Sequence, residues 1–170
     1  MTVLRAWIFV ETKPIEKEFR ISEQSASIKG RLGELAQGVF DLLGIYDVVV
    51  ESSPGNLNAL YQDILKRIYE IGFVTGCTTY PAVGQQRTKP GTLGKPFAYI
   101  LISASPVSID YIQEKVYEMN EIQKVDIVLG PYDLVAELSV DNMKKLTDTV
   151  NRILRIDGVL TTVTMPVIPE

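Results

Sequence analysis

Gly44-Ile-Tyr-Asp47 and Gly130-Pro-Tyr-Asp133 are two versions of one phrase, 86 residues apart. At that offset the correspondence runs without a gap from Gly44 to Thr79. Eleven of its 36 positions are identical, among them Val49/Val135, Glu51/Glu137, Leu60/Leu146, Gly72/Gly158 and Thr78/Thr164. Composition alone would give roughly two or three. Upstream, Arg5-Ala-Trp-Ile-Phe-Val-Glu-Thr-Lys-Pro14 aligns with Phe97-Ala-Tyr-Ile-Leu-Ile-Ser-Ala-Ser-Pro106 at offset 92. The first copy therefore carries six more residues between its proline and its glycine. An internal repeat is the first thing a sequence should be searched for, because it fixes the architecture of both halves together.

The second copy spells out its elements. Phe97 to Ala104 is apolar and β-rich, as a strand is. Pro106 and Ser108 open a helix, with Ser108 placed to cap it and Ile109, Ile112, Val116 and Met119 at helical spacing. Strands follow at Val125–Leu129 and Tyr132–Leu138. Met143, Leu146, Val150, Ile153 and Leu154 mark a second helix that stops near Gly158, and Val159–Met165 is the last strand. The first copy repeats the order. Leu4–Thr12 is a strand, and a helix weakened by Gly30 and Gly33 holds Ile28, Leu32 and Leu35. Strands at Gly38–Leu43 and Tyr46–Ser52 come next. A helix from Leu57 to Ile71, capped at Ser53-Pro54, and a strand at Phe73–Thr79 complete it.

The pattern is βαββαβ twice, which predicts an α+β fold of two tandem ferredoxin-like units with antiparallel sheets. Strand Phe97–Ala104 is apolar on both faces, and a solvated sheet face would alternate with polar residues. The two sheets are therefore expected to pack on each other as a dimeric α/β-barrel-like pseudo-dimer. The expected division is a first domain over 1–81, a linker over 82–96 and a second domain over 97–170. The run Ala82 to Gly94, poor in apolar residues and rich in glycine and proline, reads as a flexible linker.

Composition narrows the chemistry. The 170 residues contain no histidine, which removes Ser-His-Asp and Cys-His nucleophiles and the commonest transition-metal ligand. The single cysteine, Cys77, permits no internal disulfide and reads as a structural thiol in a strand. Net charge is −4, and each half carries two more acids than bases, so neither has the basic surplus of a nucleic-acid binder. No apolar run approaches the ~20 residues of a membrane span and the N-terminus has no signal-peptide pattern, so a cytoplasmic setting is expected. Gly91-Thr-Leu-Gly94-Lys95-Pro96 lacks the spacing and the hydroxyl residue of a phosphate-binding loop. No metal, cofactor or catalytic residue is expected, and Arg87, Lys89 and Lys95 read as solvated charges.

The second copy resembles the Lrp/AsnC effector-binding domain, also called the RAM domain. The residues carrying the likeness are Ala98-Tyr-Ile-Leu-Ile102, Val125-Asp-Ile-Val-Leu-Gly-Pro-Tyr-Asp-Leu-Val135 and Asp157-Gly-Val-Leu-Thr-Thr-Val-Thr164. The likeness runs over residues 97–168, with residues 4–81 matching more loosely. Because the first copy starts at residue 4, the reading leaves no room for the family's helix-turn-helix domain. The resemblance implies a stand-alone sensing and assembling module without direct nucleic-acid or membrane contacts. It implies a small effector, often an amino acid, held by the Gly-x-Tyr-Asp loop and the strand-four threonines where domains meet. Matched by position, these are Gly130, Tyr132, Asp133, Thr162 and Thr164, and in the first copy Gly44, Tyr46, Asp47, Gly76 and Thr78. The physics suits an amino acid: a glycine turn bares backbone amides, aspartate offers charge, and threonine offers hydroxyls. The same residues equally suit a plain turn and a plain strand.

Three function classes follow. The leading one is a tandem effector-binding protein that self-associates and modulates transcription through partner regulators. The second is a pocketless module that co-oligomerises with full-length Lrp/AsnC regulators. The third, an α/β-barrel enzyme, is set aside for want of histidine or a clear acid–base pair, so the chain is expected not to be an enzyme.

Overall fold

The computed structural model describes residues 3–13, 23–91 and 95–169. Pro14, after which the first copy's longer connection is expected, and most of the Gly91–Gly94 run lie outside the described residues. The chain divides into two compact units, Met1–Pro81 with Ile168–Glu170, and Ala82–Val167.

In the first unit β1 (Ala6–Thr12), α1 (Gln24–Leu32), β2 (Ala36–Asp41) and β3 (Val48–Ser52) precede a compound helix. That helix is α2 (Leu57–Ala59), a π-helical turn (Leu60–Leu65) and α3 (Lys66–Tyr69), and β4 (Val74–Thr88) follows it. The strands lie antiparallel in the order β2-β3-β1-β4. Alternation along β1 sends Ile8 and Val10 into a core with Ile28, Leu32, Val50, Leu60, Ile64 and Ile68. Full burial of each aliphatic side chain contributes about 1.5–3 kcal/mol.

The second unit repeats the plan with β5 (Ala98–Ala104), α4 (Ile109–Tyr117), β6 (Ile122–Val128), β7 (Leu134–Leu138), α5 (Met143–Leu154) and β8 (Val159–Pro166). The order is β6-β7-β5-β8, again antiparallel. Ile100, Ile102, Ile112, Val116, Leu134, Leu146 and Ile153 form its core. Both units are thus α+β and ferredoxin-like. In both, the sheet face turned away from the helices is also buried: Trp7, Phe9 and Tyr80 in the first unit, Tyr99, Leu101 and Met165 in the second.

Three local expectations change. Residues 82–88 are the far end of β4 and pair with β6, Ala82 opposite Val128 and Arg87 opposite Val125, so they are not a flexible linker. Side chains fasten this stretch: Gln113 Nε2 donates to the carbonyls of Gln85 and Val125, and Arg87 pairs with Glu114 at 2.9 Å. Arg87 also stacks 4.9 Å from the Tyr117 ring, and Lys89 donates to the Met119 carbonyl, so these two are not merely solvated charges. The helix caps are Asn56 and Asn142, whose side chains accept from Ala59 N at 2.8 Å and Lys145 N at 2.9 Å; Ser108 makes no capping bond. Among the described residues no helix is long and apolar enough to cross a membrane.

Candidate functional site

The two Gly-x-Tyr-Asp loops are built alike. Gly44 and Gly130 hold φ of 140° and 154°, values that side chains rarely adopt. Asp47 Oδ2 accepts from Thr12 N at 2.8 Å, and Asp133 Oδ2 accepts from Ala104 N at 2.8 Å. Each aspartate thereby ties its loop to the end of the unit's first strand, a charge-assisted bond of about 1.5–3 kcal/mol. The tyrosines differ. Tyr46 OH donates to Thr78 Oγ1 at 3.1 Å and its ring lies 5.3 Å from Phe9. Tyr132 is half-buried, and its hydroxyl bonds no other described residue.

Strand four is where the units part from their sequence alignment. Thr162 and Thr164 stand opposite Ile102 and Ile100, on the helix-facing side, and a bulge at residue 160 puts Val159 with them. In the first unit the residues opposite Val10 and Ile8, the equivalents of Ile102 and Ile100, are Cys77 and Thr79. Gly76 and Thr78 lie opposite Glu11 and Phe9, on the other face. The equivalents of Thr162 and Thr164 are therefore Cys77 and Thr79. The structure gathers Tyr46 and Thr78 into one contact; it does not bring Gly76 to them.

In the second unit Thr164 lines a cavity of about 260 Å³ between β8 and α5, with Met143, Leu146, Thr147, Asn151 and Pro166. Its walls are mostly apolar, with two hydroxyls and an amide for orientation. The cavity is one small-molecule-sized volume beside one predicted residue; Thr162 is near it in sequence but does not line it.

Sequence reasoning missed a set of buried carboxylates on the face away from the helices. Asp126 is fully buried and Glu51 and Glu137 nearly so. Tyr99 OH donates to Glu137 Oε1 at 2.7 Å, and Gln86 Nε2 donates to Asp126 Oδ2 at 2.7 Å. A carboxylate taken out of water costs several kcal/mol unless it is bonded, so such groups are held in place by specific donors. The signal was present: Glu51 and Glu137 are identical in the repeat and each interrupts an apolar strand. Burial pushes the Cys77 thiol up to about 11, against the smaller opposing effect of its hydrogen bond with Tyr69, and so favours the protonated thiol at neutral pH. Among the described residues no cluster of three or more ligating side chains could hold a metal ion.

Residues 97–170 match the family model described as the Lrp/AsnC ligand binding domain. The match covers less than half of the chain and supports a small-molecule-binding role for the second unit. No curated protein matches the chain. A solved protein of Thermus thermophilus is 29% identical over 45% of this chain and 98% of its own, with a TM-score of 0.42. The siroheme decarboxylase NirDL aligns over 97% of this chain and 71% of its own at 7% identity, with a TM-score of 0.66. A heme-binding protein, also of Thermus thermophilus, aligns over 98% of this chain and 91% of its own at 10% identity, with a TM-score of 0.58.

These neighbours correct one expectation. The expectation that the chain is not an enzyme does not stand, because a decarboxylase has this fold across almost the whole chain. The exclusion rested on the missing histidine and on seeing no acid–base pair. Histidine is one proton carrier among several, and the Tyr99–Glu137 contact is a pair the sequence did not disclose. At these identities the likeness is one of fold.

Proposed function

We propose that the chain is a tandem effector-binding protein whose second unit takes a small molecule of the amino-acid class and, through partner regulators, modulates transcription. The observation carrying this reading is that the Lrp/AsnC ligand-binding match falls on residues 97–170, where Thr164 lines a cavity and the Tyr132 hydroxyl is unengaged among the described residues. Gly130, Tyr132, Asp133, Thr162 and Thr164 are the proposed ligand-binding set. The first unit is a divergent copy: its Tyr46 hydroxyl is already spent on Thr78, and Cys77 stands where the second unit has Thr162. Self-association, and assembly with a full-length Lrp/AsnC regulator, belong to the same reading.

Calorimetric titration of the whole chain with each of the twenty amino acids tests it. Binding that weakens about tenfold or more in Tyr132→Phe and Thr164→Val, and is unchanged in Tyr46→Phe, is the expected result. No heat with any amino acid overturns the ligand class. A second reading rests on the buried Tyr99–Glu137 contact and Asp126: a proton-transferring site on the opposite sheet face of the same unit. It requires that Tyr99→Phe abolish a turnover that Thr164→Val leaves intact.

A further inference from the structure

At the end of the second unit opposite the Gly-Pro-Tyr-Asp loop lies a wider basin of about 530 Å³. The loop joins β6 to β7 at Val128 and Leu134; the basin sits at their other ends, where Ser139 N donates to Glu121 O at 2.9 Å. Its charged lining is Glu121, Asp141, Lys145, Asp148 and Arg152. Lys145, Asp148 and Arg152 are spaced three and four apart on α5, so they share one helix face, with Lys145 and Arg152 about 10 Å apart along the helix axis and Asp148 between them.

The charges are already arranged in pairs. Lys145 Nζ lies 2.5 Å from Asp141 Oδ2, and Arg152 lies 2.6 Å from Glu121 Oε1. Each pairing leaves capacity over. Glu121 Oε2 is shielded from solvent and has no hydrogen-bond donor among the described residues. Asp148 is met only by Lys144 among them, a strongly exposed side chain at 3.2 Å. Exposed ion pairs of this kind are worth about 0–1 kcal/mol, so a ligand can rearrange them at little cost. A simple anion entering here meets three carboxylates, and a simple cation meets Lys145 and Arg152. A molecule carrying both signs meets neither penalty: its ammonium faces the exposed carboxylate of Asp148 while its carboxylate faces Lys145 or Arg152.

We propose that this basin is a second binding site, for a small ampholyte bearing an ammonium and a carboxylate a few bonds apart, separate from the cavity that Thr164 lines. It rests on the small-molecule-binding reading of the second unit but not on that reading's choice of residues. The test is nuclear magnetic resonance titration of the full chain with glycine and with 4-aminobutyrate, against acetate and methylammonium as the two half-ligands. The expected result is saturable movement of the Arg152 guanidinium and of the Asp141 and Asp148 signals by an ampholyte. Each half-ligand should bind about tenfold more weakly, and Asp148→Asn should weaken the ampholyte several-fold while Thr164→Val does not. Equal response to acetate alone marks an adventitious anion only and overturns the proposal, as does silence of these groups up to about 10 mM ampholyte. Ampholyte binding that Thr164→Val removes and Asp148→Asn leaves intact overturns this site while sparing the function proposed above.

Discussion

The two units share an element order but differ by one residue in the middle of their second helix, and that residue decides which side chains face which way. The first unit buries Leu60, Ile64 and Ile68, spaced four and four; the second buries Leu146, Thr149 and Ile153, spaced three and four. The additional residue is absorbed by the π-helical turn Leu60–Leu65, where α5 is regular. Before the turn the units correspond at offset 86, as the capping residues Asn56 and Asn142 show. After it they correspond at 85. Val74 N donates to the Ile71 carbonyl in one unit, and Val159 N to the Ile156 carbonyl in the other. In a strand a slip of one residue exchanges the faces, so Thr78 and Thr164, identical in the ungapped alignment, lie on opposite sides of their sheets.

The largest expected effect comes from deleting one residue in each helix. Removing Gln62, which is exposed within the π turn, gives Leu60, Ile64 and Ile68 the spacing that Leu146, Thr149 and Ile153 already have. It should cost no more than about 1 kcal/mol, the range of mild surface changes. Removing Asp148 from α5 rotates the fully buried Ile153 out of its core and should cost about 4 kcal/mol or more. Denaturant midpoints of the two deletions measure the difference. Equal damage would mean that the π turn is required in its own right.

Glycine provides the next test. Gly158 has φ of 95°, and a Cβ there would lie 2.5 Å from Ser108 Cβ. Gly72, its partner in the ungapped alignment, has no positive φ and is exposed. Its structural counterpart is instead Phe73, since Lys13 N donates to Phe73 O where Ser105 N donates to Gly158 O. Gly158→Ala should cost about 2–4 kcal/mol and Gly72→Ala less than about 1, read from thermal unfolding. Comparable losses would restore the offset-86 equivalence.

The fold was legible because its signals are redundant: apolar alternation, helical spacing and Gly-x-Tyr-Asp all recur in both halves. The slip was written there too. From Arg67 onward, offset 85 matches Arg67/Arg152, Ile68/Ile153, Ile71/Ile156, Val74/Val159, Thr79/Thr164 and Pro81/Pro166. The ungapped identities at Gly72, Thr75 and Thr78 hid it, because threonine and glycine recur for strand and turn reasons of their own. Less of the site was legible. Asp47 and Asp133 accept from the amides of Thr12 and Ala104 at the strand ends, the backbone role that their turn composition also suits. The strand formed by residues 82–88 was read as linker because its fastening groups, Gln113, Glu114 and Tyr117, lie far along the chain.

The tyrosines carry a smaller difference. Tyr46→Phe breaks the 3.1 Å bond to Thr78 and leaves the threonine hydroxyl half-buried, which should cost about 1 kcal/mol. Tyr132→Phe removes a hydroxyl that no other described residue uses and should change stability by less than about 0.5 kcal/mol while weakening ligand. A double measurement, melting temperature and calorimetric affinity, separates the two roles. A stability loss at Tyr132 as large as that at Tyr46 would assign both tyrosines to the framework.

The smallest effect concerns Cys77, which stands where the second unit has Thr162. Burial raises the folded thiol to about 11, above its ordinary value of 9.0. A group raised in this way contributes stability that is whole below pH 9 and is lost as pH climbs through 11, because the unfolded thiol ionises first. Cys77→Thr places the second unit's residue in the first unit's strand, with a β-branched side chain suited to it. At pH 7 it should change stability by less than about 1 kcal/mol. Between pH 9 and 11 the variant should lose less stability than the parent, and the parent's thiol should resist alkylation at pH 8 in the native state. Rapid native alkylation at pH 8 would show a thiolate, and with it a chemistry at this position that a threonine could not replace.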